Sequence, residues 1–295
     1  MRALVGREFV TRLFVDDVGG HLVNPDEPPT WTLSTWEGAQ VATGMAADPT
    51  APGMYQVTHP ALGPRLDEYA ISWDFEVAGY ARTVTEPVVL VGARLVEAWE
   101  LRRLPNFDTV PDFIVAKLQD EIEEFARNAL GYPAVPEPGR LSFYPTITGR
   151  SAGYSGFTLT GLPRGYSSGR LLLPGISRPL ELYGVTAGGT AVVDADLAAL
   201  RFSGGGLEWT DGRAWARGRY DVWLSHGLAA PPGDLRRAML KLSAYVVKES
   251  NIPERATSVT TDNSTITFSF PTPDRPTGIA DVDVVLQRYA DQVAL

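Results

Sequence analysis

The sequence predicts an α+β chain in which a β-sandwich is followed by a mixed helical/β core and an extended carboxy-terminal segment. Three observations carry this. Short alternating runs bounded by turn clusters fill the first ninety or so residues, helix-period stripes begin only beyond them, and proline-spaced threonine-rich strands close the chain. At 295 residues the chain exceeds one average domain. With 44% hydrophobic, 21% charged and 10% aromatic residues, its composition is that of ordinary folded protein.

The clearest strand of residues 1–92 is Tyr69-Ala70-Ile71-Ser72-Trp73-Asp74-Phe75-Glu76, where Tyr69, Ile71, Trp73 and Phe75 share one face. Others are expected near Val10–Val15, Trp31–Trp36, Met54–Thr58 and Pro87–Val91. Turns at Gly19-Gly20, Glu37-Gly38, Asp48-Pro49 and Gly79 separate them. That spacing predicts an immunoglobulin-like sandwich of about seven strands.

A boundary falls near Gly92, opening a core over 93–250. Leu95–Leu104 can form a short helix. A longer one is expected over about 108–131, with Ile114, Leu118, Ile122, Phe125 and Ala129 as its apolar stripe, Asp108 or Thr109 as cap and Gly131 as stop. Its outer face would carry Asp112, Asp120, Glu121, Glu123 and Glu124 against Lys117 and Arg127, with Glu123 offset by Arg127 four residues on. Pro133, Pro136 and Pro138 stiffen a connector into a β-rich segment, 140–228, with strands such as Leu180–Tyr183 and Tyr220–Leu224. A second helix is expected over 234–249, where Leu235, Ala238, Met239, Leu242, Tyr245 and Val246 form a stripe; removal of its capping Asp234 should cost about 1 kcal/mol. Residues 251–295 read as an extended arm ending in a short helix, Asp281–Ala290. The stripe Val282, Val285, Leu286 and Tyr289 is too small to fold alone and needs a surface within the chain or outside it.

No run approaches the roughly 20 apolar residues of a membrane helix, and the amino terminus lacks the apolar core of a signal peptide. A cytoplasm-like site of synthesis is expected. Without cysteine the chain has no disulfide, thiolate metal site or cysteine nucleophile. The 35 acidic residues exceed the 26 basic ones by 9, which disfavours tight binding to phosphate backbones but suits a surface along which nucleic acid passes.

Catalytic, cofactor and metal signatures are not found. His21, His59 and His226 lie far apart, and Gly153-Tyr154-Ser155-Gly156-Phe157 falls one glycine short of a nucleophile elbow. Gly204-Gly205-Gly206 lacks the following helix of a phosphate cradle. The pairs Asp194/Asp196 and Asp281/Asp283 offer acid–base chemistry only if they converge with a pocket. Arg213, Arg217 and Arg219 read as a basic hairpin edge suited to an acidic neighbour. Trp31, Trp36, Tyr69 and Trp73 are expected in the core rather than on a sugar-stacking platform.

The order Val96-Glu97-Ala98-Trp99-Glu100-Leu101-Arg102-Arg103-Leu104, acidic helix, Gly131-Tyr132-Pro133 resembles the helical half of the head-to-tail adaptors of long-tailed actinobacteriophages. The resemblance continues through Ser225-His226-Gly227, Pro231-Pro232-Gly233-Asp234-Leu235-Arg236-Arg237-Ala238 and Ile252-Pro253-Glu254-Arg255-Ala256. It closes on Thr277-Gly278-Ile279-Ala280-Asp281-Val282-Asp283 with Arg288-Tyr289. It spans Val96 to Tyr289 and leaves the amino-terminal sandwich outside as an appended module.

The resemblance implies a non-enzymatic virion protein, assembled in the host cytoplasm, that forms a homo-oligomeric ring, commonly of twelve, in the neck between capsid and tail. Its partners would be the portal protein, a tail-side stopper or tail-terminator protein and passing viral DNA read without sequence recognition. No membrane or cofactor is implied. Asp120, Glu121, Glu123 and Glu124 would face the channel, Val282, Leu286 and Tyr289 would contact the portal or a neighbour, and Arg213, Arg217 and Arg219 would meet the next subunit. A different class of function, glycan binding through the amino-terminal sandwich, would require aromatic side chains exposed on a concave face.

Overall fold

The computed structural model describes residues 1–17, 19–46, 49–105, 107–144, 170–213, 215–216, 218–247, 258–261, 264–267 and 276–290. These form a mixed α+β chain with three hydrophobic cores.

Seven strands make up the first unit: β1 (Arg2–Leu4), β2 (Phe9–Phe14), β3 (Thr30–Thr35), β4 (Gln40–Met45), β5 (Met54–His59), β6 (Glu68–Val77) and β7 (Tyr80–Val91). Five of them form one sheet in the order β1-β7-β6-β3-β4, and β2 pairs with β5 separately. Leu13, Val15 and Tyr55 from the β2–β5 side meet Leu33, Ile71, Trp73 and Val88 from the five-stranded sheet in one core. Alternation on β6 places Ile71 and Trp73 there with no exposure, and the polar residues between them face outward. Ala78 and Gly79, both at positive φ, close the β6–β7 hairpin in two residues, and the twist of such a turn matches the strands.

Up to Gly92, where the boundary is expected, β7 runs on the surface of two cores. Val88 and Leu90 of β7 face the first core, while Val91 is buried in the second and Val89 packs against it. Alternation along one strand thus serves two cores, and β1 repeats the device with Ala3 and Leu4.

The second core is helical. It joins α1 (Ala98–Leu101), α2 (Asp112–Leu130), α4 (Gly233–Val247) and α5 (Ala280–Ala290). Gly131, at φ 76°, ends α2 and donates its N–H to Arg127 O. The start differs from expectation: Pro111 stands at the cap, and no side chain caps there.

The buried face of α2 is rotated from the expected stripe. Val115, Leu118, Gln119, Ile122, Glu123, Ala126 and Leu130 are inside, while Ile114 is 40% exposed. On α4, Leu235, Ala238 and Met239 are buried as the stripe requires, but Tyr245 is 63% exposed.

Asp234 lies inside the first turn of α4 rather than before it. Its Oδ1 accepts from Tyr289 Oη at 2.6 Å and its Oδ2 from Arg288 Nη1 at 2.9 Å, so it ties α4 to α5. Asp234→Ala is therefore expected to cost about 2 kcal/mol, more than a lost cap, because two charge-assisted bonds go. Asp234→Asn should recover part of it; a urea titration of the three chains measures both.

The third core is the β-rich segment. β8 (Glu137–Phe143), β10 (Pro179–Ala187), β11 (Thr190–Ala191) and β14 (Tyr220–His226) form a sheet in the order β11-β10-β14-β8. A smaller sheet contains β9 (Arg170–Leu172), β12 (Leu200–Ser203) and β13 (Gly206–Trp209), with the one-turn α3 (Asp194–Leu197) nearby. The glycine run 204–206 serves the β12–β13 turn, with Gly204 and Gly205 at positive φ. Gly227 leads the chain out of β14 at φ 114°, where a Cβ would stand 2.3 Å from Val135 O, so only glycine fits.

Two further strands, β15 (Ser258–Thr261) and β16 (Ser264–Thr267), pair only with each other among the described residues. They lie in the chain between α4 and α5, which pack together.

Candidate functional site at the junction of sheet and helices

Where the first unit meets α2, opposite charges converge. β1 brings Arg2, the turn after β7 brings Arg94 and Leu95, α2 brings Asp120, Glu123, Glu124 and Arg127, and β8 opens with Glu137.

Arg94 Nη2 donates to Asp120 Oδ1 at 2.7 Å, its Nε lies 3.2 Å from Glu123 Oε1, and its Nη1 donates to Arg2 O at 3.2 Å. The Leu95 N–H donates to Glu123 Oε1 at 2.8 Å. Arg2 reaches Glu123 at 3.5 Å, and Glu124 and Glu137 each at 3.2 Å. Arg127 pairs with the other oxygen of Glu137 at 3.2 Å.

Glu123 is 2% exposed and Glu137 3%. Burial pushes Glu123 up to about 7 despite the opposing pull of Arg94, the Leu95 N–H and Arg2. Burial likewise raises Glu137 against Arg2 and Arg127.

The expected exposed acidic face is corrected accordingly. Glu123 is in the interior, and Asp120, its side chain 30% exposed, is engaged by Arg94 and the Arg2 N–H. Glu121 and Glu124 remain over half exposed, Glu121 beside Lys117 and Glu124 beside Arg2.

An acid that holds its proton more readily when folded contributes stability that is complete below its unfolded pKa of 4.5. That contribution is lost as pH rises through about 7. Relative to Glu123→Gln, the parent should therefore lose on the order of 3 kcal/mol between those limits. Unfolding free energies of both chains across that range test it, and parallel curves would contradict it.

Beside this network a cleft of about 740 Å³ opens between β1–β2 and α1–α2. Arg7, Arg12, Lys117, Glu86 and Asp112 line it together with Phe14 and Phe113, whose rings stand 5.5 Å apart. It holds no pairing of nucleophile and base. Among the described residues no group of three or more metal-ligating side chains converges.

The histidines stay apart. His59 is buried, stacks on Phe9 and shares a 2.7 Å contact with Thr11 Oγ1, and burial lowers its pKa. His226 is pulled down to about 4, by burial first and Arg127 second. His21 is exposed beside Asp17.

Asp196 pairs with Arg213 and Asp281 with Lys241, whereas Asp283 is buried and accepts from Thr277. Gly153–Phe157 lies outside the described residues.

Val282 is unexposed and Leu286 is 2% exposed, both in the helical core. The expectation that they contact a portal or neighbour is thus corrected: the surface their stripe needed is α2 and α4 of the same chain. Tyr289 is partly buried, bonded to Asp234 and, through its carbonyl, to Tyr132 Oη.

Arg213 and Arg219 lie in the connection between β13 and β14, not on a hairpin edge. Arg213 pairs with Asp196 and Asp211 and lies over the Trp209 ring, and Arg219 pairs with Asp221. Arg217 lies outside the described residues.

The four aromatics form no platform. Trp73 has no exposure, Trp31 stands edge-on to His59 and Tyr69 packs against the first core, but the expectation that Trp36 is also in the core is corrected, since it lies beyond the end of β3 and is 65% exposed.

The junction escapes the sequence pattern because the two cations that hold Glu123, Arg2 of β1 and Arg94 of the turn after β7, are each a lone arginine in sequence. The one available signal was Glu123 falling between apolar positions of α2. Comparison with known protein families and with curated proteins finds no match to this chain.

Proposed function

We propose that the chain is a structural, non-catalytic subunit of a virion neck. It would form a ring between portal and tail-side protein around the passing DNA, as the head-to-tail adaptor resemblance implies. The observation that carries this is the β15–β16 hairpin. Two strands alone are at best marginally stable in water, and this pair joins no other strand among the described residues. In the chain it stands between two helices that pack together, an order suited to reaching a neighbour while the body stays intact.

Charge is consistent with this role. A net charge of −9, with Glu121 and Glu124 more than half exposed on α2, suits a wall past which DNA slides. The channel-facing role therefore narrows to these two.

The first unit is read as an immunoglobulin-like module. In the lettering of that fold β3, β6 and β7 take the places of C, F and G, β2 and β5 those of B and E, and the core lies between the two sheets.

Native mass measurement on the chain, alone and with its portal protein, tests the proposal. A closed oligomer that is lost when residues 256–270 are replaced by a Gly-Ser linker is expected. A chain that stays monomeric beside the portal would overturn the ring.

A further inference from the structure

We propose that strand β4 is the acceptor edge for the β15–β16 hairpin of a second copy of the chain, so that neighbouring subunits are joined by a shared sheet. This rests on the ring proposed above and names the surface that closes it.

Strand β4 is the outermost strand of the five-stranded sheet and, among the described residues, is bonded on one side only, to β3. Natural sheets protect such an edge with lysine, other inward or flanking charges, or proline. Gln40-Val41-Ala42-Thr43-Gly44-Met45 has no charge and no proline, and its one protective irregularity is the bulge at Val41. Val41 and Met45 are 44% and 64% exposed, and Trp36, just before the strand, 65%.

Other edges are defended or short. β8 carries Glu137, Pro138 and Arg140, β9 and β12 each carry an arginine, and β11 has two residues. β5 is uncharged but shows no large apolar side chain to solvent.

The lengths agree. A bulge at Val41, between the Leu33 and Ser34 pairings, leaves Ala42–Met45 as the regular stretch of the edge. That is four residues, as are β15 and β16. Both hairpin strands are built from Ser, Thr, Val and Ile without charge, so neither partner brings a repelling group. Because hairpin and edge are different surfaces, the contact is head-to-tail and makes a ring where the rotation from copy to copy closes; a reciprocal exchange between two copies would instead give a dimer, which native mass distinguishes.

The chain has no cysteine, so introduced thiols report without interference. Thr43→Cys and Thr260→Cys chains are mixed under assembly conditions and treated with a short bis-maleimide, with native mass recorded in parallel. The expected product joins one chain of each kind, and the double variant gives a ladder of covalent oligomers. Val41→Lys with Met45→Lys should abolish the ring while leaving the far-ultraviolet dichroism of the chain unchanged.

A product of two Thr43→Cys chains would mean that β4 pairs with itself, and a link formed only within single chains would mean that the hairpin serves its own body; either overturns the inference. A ring without the mixed product overturns it and leaves the ring standing. Absence of any ring removes both.

Discussion

Arg94→Ala is expected to destabilise the chain by about 3–5 kcal/mol at neutral and higher pH, the range for removing one partner of a buried ion pair. Arg94 is 8% exposed and serves Asp120 at 2.7 Å, Glu123 at 3.2 Å and the Arg2 carbonyl. Without it Glu123 keeps Arg2, 3.5 Å away, and the Leu95 N–H.

The loss should depend on pH. Glu123 already titrates near 7 because it is buried, and without Arg94 it would protonate still more readily. Below that value a neutral Glu123 no longer needs the missing cation, so the penalty shrinks. Urea unfolding of parent and variant at about pH 5 and pH 8 measures this. Arg94→Lys should restore only part of the stability, because one ammonium cannot engage two carboxylates and a carbonyl in the guanidinium's planar arrangement. A loss below about 1 kcal/mol at pH 8 would mean that the network holds nothing together.

Leu286→Ala carries the second large effect, about 2–5 kcal/mol. Leu286 is 2% exposed on α5 and packs with Val282 into the core shared with α2 and α4. Its removal leaves a cavity in that core. The isolated subunit should show the full loss in thermal unfolding, with no partner present. A variant as stable as its parent, but defective in assembly, would return Leu286 to the role of an external contact.

The elements of the helical core were legible where apolar spacing is strong. Leu118 and Ile122 on α2, and Leu235 and Met239 on α4, are buried as their periodicity requires. What periodicity could not supply is which polar residue joins the buried face. Glu123 sits among apolar positions but counts as polar in any stripe, so the expected face turned toward Ile114 and away from Glu123. The structure reverses this because Arg2 and Arg94, distant in sequence, supply the countercharge.

Strand β6 was legible for the same reason as α4, a clean alternation against a single core. Strand β4 was not, because its less exposed positions carry only Ala42 and Gly44 while Val41 and Met45 face outward, so its hydropathy does not follow its burial. The first residues of β7 were also missed, since Arg82 and Glu86 interrupt the apolar face that Val84 and Val88 continue.

The end of the chain shows the limit most clearly. The α5 stripe announced that it needs a surface, but periodicity does not say whose. Its contacts with α2 and α4 answer that, and among the described residues the β15–β16 hairpin between α4 and α5 pairs with no other strand.

The most direct test of the proposed role is electron cryomicroscopy of the full chain mixed with its portal protein. A closed ring of this subunit, surrounding a channel wide enough for duplex DNA and linked by hairpins lying on β4 edges, is the expected result. A monomer that leaves the portal bare would contradict it.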